Sequence, residues 1–169
     1  FVVSVSFQGK AALAIVRADQ LGAQSLSHNT LIDQTKRAAN VDFNGIVVDE
    51  SNVIVGPSVA AALRDIRLLG ALLVAAEATG SAAACLDTTV EYLKTRKQFG
   101  KLIGSYQALK HPTVDILTAI DSARSFIYHA ASLIVDDALD ADAEIACRMA
   151  KAQACQTLLY AGDRAIQFH

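Results

Sequence analysis

From residue 56 to its end the chain keeps a helical period through three long stretches, and only two short joints interrupt it. The first stretch runs from Pro57 to about Thr95, the second from about Gly104 to Asp136, and the third from Asp140 to about Phe168. In a folded protein most helical stability comes from packing, so each of these must bury a face along a neighbour. With joints this short, the neighbours are the next helices in sequence, packed antiparallel. The start and stop signals agree. Pro57 suits a first helical turn, where its missing N–H has no intrahelical partner, and Asp140 or Asp142 in "DDALDAD" is a cap for the third helix, its charge favoured by the helix dipole.

In the first helix Leu63, Ile66, Gly70, Leu73, Glu77, Gly80 or Ser81, and Ala84 lie on one i, i+3/i+4 track, which is read as the inward face with room for close neighbours. Pro112 is the one local conflict, because an interior proline removes a backbone bond. Either the second helix restarts there or packing accommodates a kink.

Before residue 56 the pattern differs. "FVVSVSF" (1–7), "ALAIVRA" (12–18) and "AANVDFNGIVVD" (38–49) are alternating or β-branched runs separated by "QGK" and "DQLGAQ", which reads as strands and turns. "FNGIVV" is expected to be strand, glycine turn and strand. The expected organisation is therefore mixed: a short β segment over 1–55, then an all-α up-down antiparallel bundle over 56–169 whose fourth helix is missing from this chain.

Composition excludes several classes. A net charge of −2 with both signs interspersed leaves no basic face for nucleic acid. Although 53% of residues are hydrophobic, the longest apolar runs, such as "LLGALLVAA" at 68–76, fall well short of the ~20 residues of a bilayer span, so no membrane segment is expected. Cys85, Cys147 and Cys155 are an odd number without CxxC spacing, which supports neither a disulfide framework nor a metal site and points to a reducing cytoplasm. Both ends, Phe1 without a preceding Met and His169 within a helical pattern, are read as cut.

The joint at 95–111, "TRKQFGKLIGSYQALKH", is unlike the helices on either side. It carries Arg96, Lys97, Lys101 and Lys110, two glycines, two glutamines and two aromatic rings. A planar guanidinium suits a pyrophosphate, a glycine lets backbone come close, neutral amides add hydrogen bonds and Phe99 offers an apolar plate to a ring. Taken singly, each has a blander reading: Arg96 as a solvated cation, Phe99 as core, and His28, His111 and His129 as structural histidines.

The spacing Arg96-x-Gln98-Phe99-Gly100-x-x-Ile103-x-x-Tyr106-Gln107-x-x-x-His111-x-x-x-Asp115 resembles the R-x-Q-F-G-x-x-I-x-x-F-Q-x-x-x-H-x-x-A-D signature of the acyl-CoA dehydrogenases. "AAEATGSAAACLDTTVEYLKTRKQFG" is similar to the family's preceding helix, "GDRAIQFH" to the segment entering its Q-x-x-G-G-x-G loop, and "VDFNGIVV" to the end of its central β-domain. The resemblance implies that Arg96, Gln98, Phe99, Gln107 and Gln167 contact FAD, reaching across a dimer interface to the flavin of a neighbouring subunit. It further implies an acyl-CoA substrate, α,β-desaturation by α-proton abstraction and β-hydride transfer to flavin N5, a homo- or heterotetramer built as a dimer of dimers, and an electron-transferring flavoprotein as acceptor.

The catalytic base is not assigned within this chain. Most of the family place a glutamate beyond the glycine loop; a minority place it on the first bundle helix, where spacing gives Gly70. Asp65 and Glu77 are on that helix, Glu77 on the expected inward track, where it reads first as a buried structural carboxylate. The base is expected beyond His169 or from a partner. Small residues near Leu68, Leu69, Leu72 and Leu73 suggest room for a bulky or branched acyl group. The alternative is a non-catalytic subunit of the same fold that completes the FAD site of a hetero-oligomer; an acyl-CoA-dehydrogenase-like flavin monooxygenase would keep the FAD contacts and replace the base.

Overall fold

The structure, a computed structural model, describes residues 1–134 and 139–169. It divides into two compact units, Phe1–Leu63 and Arg64–His169. In the first, β1 (Val2–Phe7) and β2 (Lys10–Ile15) form a hairpin with register Val2↔Ile15 to Phe7↔Lys10. Its two-residue turn is Gln8-Gly9, with φ of 51° and 76°, the left-handed pair that matches strand twist. Ala12, Ala14 and Val16 are buried, at the period of two expected of one sheet face.

A second pair joins β3 (Leu26–Asn29) and β4 (Ala38–Val41). β5 (Val53–Val55) adds to the free edge of β2, pairing Ala12↔Val55 to Ala14↔Val53. The strands at 1–7 and 12–18 form close to where the alternation placed them. Neither strand of "FNGIVV" forms: β4 ends at Val41 and residues 43–48 are turn and irregular backbone. Gly45 turns the chain at φ 78°, and the Val47 carbonyl accepts from the Gln20 side-chain Nε2 at 3.2 Å rather than from a strand partner. β3, whose "LSHN" lacks alternation, was not expected.

The second unit is built by α1 (Ser58–Thr95), α2 (Gln107–Ser132) and α3 (Ala141–Phe168). α1 ends at the expected residue. α3 begins as expected, with the Asp140 carboxylate accepting from the Ala143 amide at 2.8 Å. α2 starts three residues later than expected, because Ile103–Ser105 forms a 3₁₀ turn, and runs through Pro112 without interruption. α2 ends at Ser132, short of the expected Asp136, where the Leu133 amide turns back to the Ala130 carbonyl at 3.3 Å; residues 135–138, with part of "DDALDAD", lie outside the described residues.

Two buried clusters give the helix directions. Leu68, Ala75 and Ala78 of α1 meet Ala123 and Ala130 of α2 and residues from Ala143 to Ala154 of α3. Farther along, Ala82 and Leu86 meet Ile116, Ile120 and Ala161. Late α1 therefore faces early α2 and late α3, which is an up-down-up arrangement. Alanines on both helices let α2 and α3 approach closely.

The inward track expected of α1 is corrected. Its core stripe is Leu68, Ala75, Ala78, Ala82, Leu86, Thr89 and Leu93. Ile66 and Leu73 are 60% and 71% exposed, and Glu77, Gly80, Ser81 and Ala84 are exposed with them. Small and apolar side chains surround α1 on every side, so period alone does not choose between two equally apolar faces. Among the described residues no helix is long and apolar enough to cross a membrane.

Candidate functional site

The joint between α1 and α2 is a small, defined structure. α1 closes with the Arg96 amide donating to the Tyr92 carbonyl at 2.9 Å, and the Arg96 carbonyl accepts from the Ile103 amide at 2.9 Å. Between these bonds, β6 (Lys97–Gln98) pairs with β7 (Lys101–Leu102), so "RKQFGKLI" is a tight hairpin. Its turn residues are Phe99 at φ 53° and Gly100 at φ 77°.

Asparagine or glycine usually holds the first of those turn positions, since a bulky side chain there costs about 1–2 kcal/mol. Phe99 holds it while 89% exposed. Burial therefore does not explain the ring's position. It meets Tyr106 edge-on at 6.3 Å, and Lys101 Nζ stands 4.1 Å above the same tyrosine ring. The hairpin's root is seated tightly: a Cβ on Gly104 would lie 2.8 Å from the Leu93 carbonyl oxygen.

The expected site residues fall as follows. Arg96, Gln98 and Phe99 are exposed in the hairpin, and Gln107 is exposed at the first position of α2. Among the described residues Arg96 has no ion-pair partner, whereas nearby Lys94 is paired with Glu91 at 2.8 Å. Gln167 is exposed on the last turn of α3. That turn is brought to the end of α1 by Tyr92, whose ring stacks on His169 with centroids 4.3 Å apart and whose hydroxyl donates to the His169 carbonyl at 3.3 Å. His111 is exposed on α2.

An unpaired guanidinium, exposed amides and an exposed ring lie together on one joint, groups that can donate to an anion and pack on a flat ring. Sequence reasoning placed these residues but missed the hairpin, the close approach at Gly104 and the Tyr92–His169 contact. The Phe-Gly pair between Lys97-Gln98 and Lys101-Leu102 was the available signal for the hairpin.

The carboxylates on α1 do not join this set. Glu77, read from sequence as buried, is exposed, and it precedes Arg96 by 19 residues of helix, roughly 28 Å. Asp65 is paired with Arg64 at 2.8 Å. At Gly70 nothing lies within 4 Å of where a side chain would start. Among the described residues no cluster of three His, Cys, Asp or Glu could hold a metal ion.

Comparison with known proteins places this arrangement. The family model of the acyl-CoA dehydrogenase C-terminal domain matches residues 61–169. The acyl-CoA dehydrogenase IpdE2 of Mycolicibacterium smegmatis is 39% identical over 99 residues, 59% of this chain and 29% of that protein. Among solved structures, the ChsE4-ChsE5 complex from Mycobacterium tuberculosis aligns with a TM-score of 0.81 and 25% identity, over 100% of this chain and 44% of that one. PigA with FAD and proline aligns equally well, with a TM-score of 0.81 over 99% of this chain and 45% of that one; at 24% identity it shows the fold. The chain thus spans under a third of the curated relative's length and under half of the solved chains.

Proposed function

The chain belongs to the acyl-CoA dehydrogenase family, and we propose that it forms part of an FAD-dependent acyl-CoA dehydrogenase in which the α1–α2 joint grips the flavin cofactor. On this reading residues 1–55 end a central β-domain and 56–169 are an incomplete C-terminal bundle. In the desaturation, an acyl-CoA thioester loses its α-proton to a carboxylate and its β-hydride to N5 of FAD, which is the chemistry the cofactor supplies. This chain's residues bind and orient. Arg96 offers its forked donors to the pyrophosphate, Gln98, Gln107 and Gln167 offer amide hydrogen bonds, and Phe99 offers a flat apolar face. The observation that carries the reading is Phe99, held exposed in a left-handed turn beside the unpaired Arg96. An exposed ring beside an unpaired guanidinium is what a ligand with both an aromatic group and a phosphate would engage. PigA, of the same fold, was solved with FAD.

The joint reaches the flavin of a neighbouring copy within a tetramer, and the electrons pass on to an electron-transferring flavoprotein. The proton acceptor is assigned outside residues 1–169, because Gly70, where the family's minority place it on this helix, has no side chain. That distribution also favours a second reading, a non-catalytic subunit completing the FAD site of a partner. Similarity to a complex of two named chains supports it.

Anaerobic addition of acyl-CoA thioesters to the purified intact protein separates the readings. A flavin spectrum that bleaches supports the dehydrogenase. Bound flavin that bleaches only when a second, different chain is present supports the helper subunit. A protein that purifies and reconstitutes without any flavin contradicts both.

A further inference from the structure

The last turn of α3 is tied to α1 by a contact that the flavin reading above leaves unused. Tyr92 lies one turn before Arg96. Its ring stacks on the His169 imidazole with planes 22° apart, and its hydroxyl donates to the His169 carbonyl. The imidazole is itself oriented, since Nδ1 stands 2.7 Å from the Ala165 carbonyl; a carbonyl only accepts, so Nδ1 carries the proton.

These contacts join residues 165–169 of α3 to the end of α1, and so set the register of the two helices there. Here Tyr92 supplies both a ring to pack on and a donor. Gln167 sits two residues before His169, on the other side of the same turn. Loss of the contact would free α3 to shift against α1, and a shift of more than a few tenths of an ångström weakens a hydrogen bond made by the Gln167 amide. Because the clamp lies one turn from Arg96, it fixes the amide relative to the cation that shares its ligand.

We infer that Tyr92 is a positioning residue for the flavin site, acting through His169 to hold Gln167 in register with Arg96. The inference rests on the reading of Arg96 and Gln167 as FAD contacts.

The test is a double-variant cycle on FAD affinity, read from flavin fluorescence as the intact protein is diluted, with a melting curve for each variant. Gln167→Ala should weaken binding roughly three- to tenfold, as loss of one neutral hydrogen bond does. Tyr92→Leu should weaken it by no more than that factor, and Tyr92→Phe, which keeps the stack, by less. In the Gln167→Ala background Tyr92→Leu should add nothing, because the two act on one contact. Multiplying factors would overturn the inference and leave Tyr92 as general support of the fold. If Tyr92→Leu does not fold, His169→Ala removes the same stack from the other side and carries the same expectation. If neither Arg96→Ala nor Gln167→Ala alters affinity, the flavin reading fails and the inference with it.

Discussion

On the proposed reading Phe99 trades stability for binding. Asparagine adopts φ near 53° readily and is favoured in two-residue hairpin turns, so Phe99→Asn should stabilise the folded protein by about 0.5–1.5 kcal/mol. The same change removes the ring offered to FAD, so flavin retention should fall. A melting curve and a flavin absorbance spectrum on one sample check both signs, and unchanged flavin retention would show that the ring touches no cofactor. A second residue-scale expectation concerns the thiols. Cys147 is fully buried, and burial pushes its thiol above its ordinary pKa; Cys85 and Cys155 are half-buried. In the native protein a thiol reagent should label Cys85 and Cys155 well before Cys147, which should react at their rate only after unfolding. That the joint differs from the helices on either side was legible from its cations, amides and rings. The strain at Phe99 was not, because it arises from a turn between strands of two residues each, too short to show a period.

Among the elements, the hairpin and α3 respond oppositely to added methyl groups. Gly104→Ala would place a carbon 2.8 Å from a backbone oxygen of α1, and backbone cannot yield as a side chain can. It should cost about 1–3 kcal/mol and loosen the hairpin, lowering flavin retention as well. Gly162 lies within α3 with nothing within 4 Å of a built Cβ, so Gly162→Ala should stabilise by about 0.5–1 kcal/mol through helix propensity. Chemical denaturation of the two variants beside wild type checks the opposite signs. Helix ends were legible where a residue type marks them, as Asp140 does for α3. The face of α1 was not, because alanine and leucine surround it and only the positions of α2 and α3 choose the stripe. The edge that β5 takes on β2 was equally hidden, since pairing across about forty residues leaves no local trace.

Taken whole, the described chain exposes more large apolar side chains than an isolated helical unit needs. Ile66, Leu69 and Leu73 are exposed on α1, and Ile145, Met149, Leu159 and Ile166 follow one face of α3. Apolar tracks of this kind mark interfaces, so the intact protein should be larger than a monomer by light scattering at micromolar concentration; a stable monomer would remove the basis for a flavin site shared between subunits. The most direct test of the central claim is the flavin stoichiometry of three proteins purified side by side: wild type, Arg96→Ala and Lys97→Ala. A charge-assisted contact to a pyrophosphate contributes about 1.5–3 kcal/mol, which corresponds to roughly ten- to a hundredfold in affinity. Arg96→Ala should therefore lose most of its flavin on dilution, while Lys97→Ala, an exposed cation outside the spaced motif, should retain it as wild type does. Equal flavin retention by Arg96→Ala and wild type would contradict the account and leave "TRKQFG" as a loop between helices.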